Sequence, residues 1–223
     1  MGPRQLRAER GLITRPTLDE VLAYRAHVDA AMADFFDAAT AETLENMRNL
    51  LELGLHHEQQ HQELILMDIK HAFSRNPFGP SYRRKEPAPV FNTHALRWFE
   101  VPGGIHRIGH GEDGHFAFDN EQSAHDVILG DFALASRCVT NGEFLEFIKD
   151  GGYKCAEFWH ADGWALINEE GWRTPLYWHP DEDGGWAEFT FGGLSTLYHD
   201  APFCHISFFE AAAYAAWAGK RLP

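Results

Sequence analysis

His57 and His61 stand four residues apart in the segment Leu55-His56-His57-Glu58-Gln59-Gln60-His61-Gln62-Glu63. On a helix this spacing puts both imidazoles on one face, where they can meet a single metal ion. At about 100° per residue, Gln60, Leu64, Asp68 and His71 fall within roughly 60° of His57. A polar strip of this kind inside a helical bundle calls for a ligand or cofactor to satisfy it. A solvated helix face also carries Gln and Glu, but it seldom stacks two histidines with Asp68 and a third histidine. The same letters match H-E-x-x-H, the zinc-peptidase signature, in which Glu58 would be the general base on a metal-bound water. Two histidines leave a metal half clad. Asp68 lies two turns beyond His61, about 10 Å along the axis, too far to share the ion. His27, on the preceding helix, is a candidate third ligand by position, although a partly exposed helix residue is its plainer reading.

The elements that must position these groups are legible from caps and periods. Thr17-Leu-Asp-Glu20 is a capping box, and Val21, Leu22, Val28, Met32, Phe35 and Phe36 continue an apolar stripe to about Asp37. A second helix is expected from near Thr40 to about Phe73, with Gly54 inside it marking a bend or a close helix contact. Two long helices joined by a very short turn make an antiparallel pair that needs partners to complete a bundle. Residues 74–97 carry Pro77, Pro80, Pro87 and Pro89 with the basic cluster Arg83-Arg84-Lys85 and read as a linker. The period then changes. Trp98–Val101, Ile105–Ile108 and Val127–Leu129 are strand-like runs. Thr140-Asn-Gly-Glu143 and Ser207-Phe-Phe-Glu210 are two further capping boxes, each opening a helix. Residues 151–206 show little periodicity. The fold class is therefore α+β, with helices first and mixed strands and helices after.

Composition narrows the partners. The chain has 223 residues and a net charge of −14, which speaks against a nucleic-acid partner. No apolar run reaches the roughly 18 residues of a membrane span, and the N-terminus lacks the apolar core of a secretory signal. Cys138, Cys155 and Cys204 are far apart and odd in number, as expected of thiols in a reducing, cytoplasmic compartment.

With these residues in view, the chain resembles the ergothioneine-biosynthesis sulfoxide synthases, iron(II) enzymes with a DinB-like helical domain followed by a domain like formylglycine-generating enzyme. The matching stretches are Arg10–Pro16, Glu20–Arg25, Gly54–Glu63, Leu66–His71, Val101–Gly104, Val139–Phe144, Ala201–Ser207 and Ala215–Pro223. They run in order over nearly the whole chain. The resemblance implies a partial DinB-like bundle at 1–73, a linker at 74–97, and a partial formylglycine-generating-enzyme-like, C-type-lectin-like domain at 98–223. It implies C–S bond formation between hercynine (trimethylhistidine) and a thiol, cysteine or γ-glutamylcysteine, with dioxygen, giving a sulfoxide. Carried over by position, His57 and His61 would bind iron(II). Gln60 would face the substrate, and Arg10, or alternatively Arg15, would hold its carboxylate.

The resemblance also implies a third iron histidine from a helix before Met1, and a catalytic tyrosine and thiol contacts beyond Pro223. The chain is thus expected to be cut at both ends, to hold no catalytic residue of its own beyond the metal site, and not to turn over alone. A related family that acts on unmethylated histidine, in the ovothiol pathway, is the alternative, followed by the zinc peptidase. For the second half, a lectin-like binding module would fit the short strands and many tryptophans but lacks a disulfide framework. A copper-dependent formylglycine generator would need a cysteine pair nearer the C-terminus.

Overall fold

The computed structural model describes residues 15–84, 93–111, 114–181 and 184–223. It divides into two compact units, Met1–Glu58 and Gln59–Pro223. The division falls inside the second helix rather than in the 74–97 stretch.

Helix α1 spans Leu18–Ala38 and α2 spans Ala41–Ser74. Thr17 caps α1 as expected: its hydroxyl accepts from the Glu20 amide while the Glu20 carboxylate accepts from the Thr17 amide. α1 buries no residue and α2 buries only Lys70, so no buried seam forms between their apolar stripes. Leu22, Tyr24, Leu50 and Leu55 are exposed. This fits a pair of helices that makes no core by itself. Gly54 is not a close contact, because a Cβ built there would meet nothing within 4 Å.

The second unit is organised by antiparallel pairs. Strand β1 (Trp98–Val101) pairs with β4 (Phe132–Ala135), and β2 (Gly104–Ile108) pairs with β3 (His125–Leu129). Three strands, β5 (Trp178–Pro180), β6 (Trp186–Thr190) and β7 (Gly193–Thr196), form a meander in that order. Helices α3 (Asn141–Lys149), α4 (Ala161–Glu169) and α5 (Phe208–Trp217) complete it. The capping boxes expected at Thr140 and Ser207 are both formed. Glu143 of the first is also gripped by Arg137 through two parallel 2.8 Å hydrogen bonds, which hold its carboxyl near pKa 2.

The core is aromatic. Phe144, Phe147 and Ile167 are fully covered, with Tyr153, Trp159 and Ala213 beside them. Phe144 stacks on Phe203 at 3.9 Å between ring centroids. Helix α4 and the β5–β7 meander are elements the periodicity does not reveal. Gly163 lies inside α4 because a Cβ there would come within 2.7 Å of Phe209; the residue that weakens the helix signal lets α4 approach α5. The strands of the meander are three to five residues long, too short for a period to register.

Candidate functional site

The expected metal strip lies on α2, which runs unbroken through residues 57–61. His57, Gln60 and His61 are all exposed. Arg10 lies outside the described residues; Arg15, the alternative, is exposed ahead of α1. Asp68 is also exposed. His27 is an exposed residue of α1. His71 instead turns to Tyr177, with its Nδ1 3.4 Å from the phenol oxygen.

The fold assembles a second polar cluster at the C-terminal end of α2. Lys70, only 8% exposed, reaches across the second unit, and its Nζ lies 2.8 Å from His205 Nε2. The same ammonium is 4.0 Å from Glu188 Oε1 on β6 and 4.6 Å from the centre of the Tyr177 ring. Tyr177 meets the His205 ring edge to face at 5.0 Å. Three segments thus converge: the end of α2, the meander with Tyr177 just before it, and the Cys204-His205 stretch that leads into α5. Tyr177 and His205 both take left-handed backbone angles, φ 74° and 62°. Such angles are uncommon outside glycine and cost of order 1–3 kcal/mol each, so the surrounding contacts must hold them.

Burial governs the charges here. It pushes the Lys70 ammonium down, an effect partly offset by Glu188, and it pushes the Glu188 carboxyl up, partly offset by Lys70. The Cys204 thiol is raised by burial and then by Glu188, although the residue as a whole keeps exposed surface. Burial, and then Lys70, lowers His205. One carboxylate oxygen of Glu188, the Cys204 sulfur and a ring nitrogen of His205 all lie within 4.8 Å of one another. The sequence marks Lys70, Cys204 and His205 only as members of matching stretches, with Cys204 also one of the three thiols, and passes over Tyr177 and Glu188. No local signal joins Lys70 to His205, which is 135 residues away.

The sulfatase-modifying factor enzyme 1-like domain matches residues 85–223, more than half of the chain, and its match begins inside the stretch expected as a linker. The chain belongs to this family. Among its relatives, the hercynine oxygenase of Mycolicibacterium smegmatis is 38% identical over 178 residues, covering 77% of this chain and 39% of that protein. The hercynine oxygenase of Mycolicibacterium thermoresistibile is 42% identical over 111 residues, 50% of this chain and 24% of that protein. The Bos taurus protein named inactive C-alpha-formylglycine-generating enzyme 2 is 30% identical, with 59% of this chain and 47% of that protein covered. The chain therefore spans less than half the length of these relatives. Family membership alone leaves the chemistry open, since one member carries the word inactive in its name. Alignment length is more telling. An aligned stretch that covers 77% of 223 residues has to span positions 57–61. No helix among the described residues is long and apolar enough to cross a membrane.

Proposed function

We propose that the protein acts as an iron(II)- and dioxygen-dependent oxygenase on hercynine, joining its ring carbon C2 to the sulfur of a cysteine-containing thiol as a sulfoxide: the C2–H and S–H bonds break, one oxygen atom of dioxygen goes to sulfur, and the other leaves with the two hydrogens as water. The observation that supports this reading is the 38% identity to a hercynine oxygenase over 77% of the chain, a span that takes in positions 57–61, where the sequence itself carries His57-Glu-Gln-Gln-His61. In this reading residues 1–73 are the DinB-like helical domain, 74–97 the linker and 98–223 the formylglycine-generating-enzyme-like domain.

The donor set suits the metal. His57 and His61 stand one helical turn apart on an exposed stretch of α2 and would offer iron(II) two imidazole nitrogens, a donor type that suits it. Bound iron(II) would supply the activation of dioxygen. The work of the chain itself is binding and orientation. Gln60, between the two histidines, carries both a donor and an acceptor and would hold the imidazole or carboxylate of hercynine, directly or through water. An arginine of the lead-in, Arg10 or Arg15, would grip the carboxylate bidentately. Glu58, about 100° around the helix from His57, has no proton to remove in this reaction.

The deciding experiment is oxygen uptake with iron(II), hercynine and either cysteine or γ-glutamylcysteine, with product mass reporting a sulfoxide. The expected result is uptake that needs both organic substrates, in the chain or in a longer protein that contains it. Uptake that ignores hercynine in both would overturn the proposal.

A further inference from the structure

Lys70 follows the histidine strip on α2, but the other members of its cluster come from distant segments, and the cluster has no part in the chemistry proposed above. A simple ion pair would need only Lys70 and Glu188, yet their 4.0 Å separation is at the limit of contact. The nearest partner of the ammonium is an imidazole nitrogen, at 2.8 Å. Around it the fold gathers three different donors, a carboxylate from β6 with a thiol and an imidazole from the stretch before α5, their ligand atoms within 4.8 Å. Oxygen, sulfur and nitrogen together form a mixed set that suits zinc-class cations better than magnesium or calcium, which prefer oxygen alone. Tetrahedral zinc with bonds of about 2.0–2.3 Å places its ligand atoms roughly 3.5 Å apart, so rotation of one or two side chains closes the set. Cys204 and His205 keep exposed surface, which leaves an entry path and a fourth position for water.

We propose that Glu188, Cys204 and His205 form a binding site for a divalent cation of the zinc class, and that Lys70 is the built-in cation that competes for it. The ammonium holds the cluster together when no metal is bound. On metal binding it swings off His205 on its flexible stem and settles over the Tyr177 ring, which already lies 4.6 Å away. The thiol gives up its proton to solvent as sulfur becomes a ligand.

Cobalt(II) tests this directly, because a cysteine ligand produces a thiolate-to-cobalt charge-transfer band that histidine and carboxylate ligands do not. The protein, reduced and stripped of metal, is titrated with cobalt(II) and then with zinc(II). The expected result is one equivalent of cobalt that carries a thiolate charge-transfer band, removed by zinc and counted apart from any cobalt held by His57 and His61. The band should survive the Cys138→Ser/Cys155→Ser double variant and the His57→Ala/His61→Ala double variant. It should vanish in Cys204→Ser, and His205→Gln should weaken binding at least tenfold. Lys70→Met, which keeps the stem and removes the competing charge, should tighten binding at least tenfold. Absence of the band, its persistence in Cys204→Ser, its loss in His57→Ala/His61→Ala, or unchanged affinity in a folded Lys70→Met would each overturn the proposal. Should Lys70→Met fail to fold, the exposed and near-isosteric Cys204→Ser still decides.

Discussion

Along α1 and α2, Leu22, Tyr24, Leu50 and Leu55 remain 57% exposed or more, whereas Phe144, Phe147 and Ile167 of the second unit are completely covered. The helices carry the histidine strip without a core, and the mixed unit builds a core beside a polar cluster that comes together only on folding. His57 and His61 announce themselves because one helical turn relates them. Lys70, Glu188, Cys204 and His205 are silent in sequence because their meeting depends on the β5–β7 meander and the turn into α5. Local repetition reports on local geometry; a site assembled from distant segments has to wait for the fold.

Truncating the core should break this comparison open most forcefully. Phe144→Ala removes a ring stacked on Phe203 and Tyr214 and should cost about 3–5 kcal/mol of stability in denaturant unfolding. Leu50→Ala, on the exposed stripe, should change stability by about 0.5 kcal/mol or less. Equal losses in the two variants would mean that the helical stripe is packed in solution, and that the contrast between the regions is false.

The same contrast sets how much was legible in advance. All three capping boxes, at Thr17, Thr140 and Ser207, were readable because a cap is a contact between residues three apart. Strands β1 to β3 showed in their apolar runs. Helix α4 did not, because Gly163 is there for its packing against Phe209 and reads locally as a breaker. Glu188 lies in the 151–206 stretch without visible period, and nothing nearby points to its partner on α2.

The next largest effect belongs to the strip itself. His61→Ala should lower iron(II) affinity and sulfoxide formation by about a hundredfold or more, as metal analysis and product mass would read. Stoichiometric iron and normal turnover in this variant would remove the strip from the site. Gln60→Ala should weaken hercynine binding by about tenfold, the worth of one or two lost hydrogen bonds, with iron content unchanged. Glu58→Gln should leave most sulfoxide synthesis intact. In a zinc peptidase the same change removes the general base and costs about a hundredfold in rate or more. Peptide cleavage that depends on zinc and disappears in Glu58→Gln would replace the oxygenase reading with the peptidase one.

The smallest effect compares one motif in both regions. Thr17–Glu20 and Thr140–Glu143 are the same capping box, and in each the carboxyl is held below its ordinary value. For Glu20 the cause is its hydrogen bonds to Thr17 alone, on a helix that buries nothing. For Glu143 the first cause is the paired hydrogen bond from Arg137, which lowers the carboxyl to about 2. A carboxyl depressed by folding contributes stability that is fully present above its ordinary pKa, near 4.5, and is lost as pH falls toward 2. Because Glu143 is about a third exposed, solvent screens the pair, and the contribution should be about 1 kcal/mol or less. Wild-type protein should therefore lose more unfolding free energy between pH 5 and pH 3 than Glu143→Gln, which has no charge there to lose. Glu20→Gln should leave the unfolding of the aromatic core unchanged at either pH, with any effect confined to fraying of α1 in amide exchange. Equal acid sensitivity in Glu143→Gln and wild type would show that Arg137 adds nothing to the cap, and a shift of core unfolding in Glu20→Gln would show that the helices and the core unfold as one.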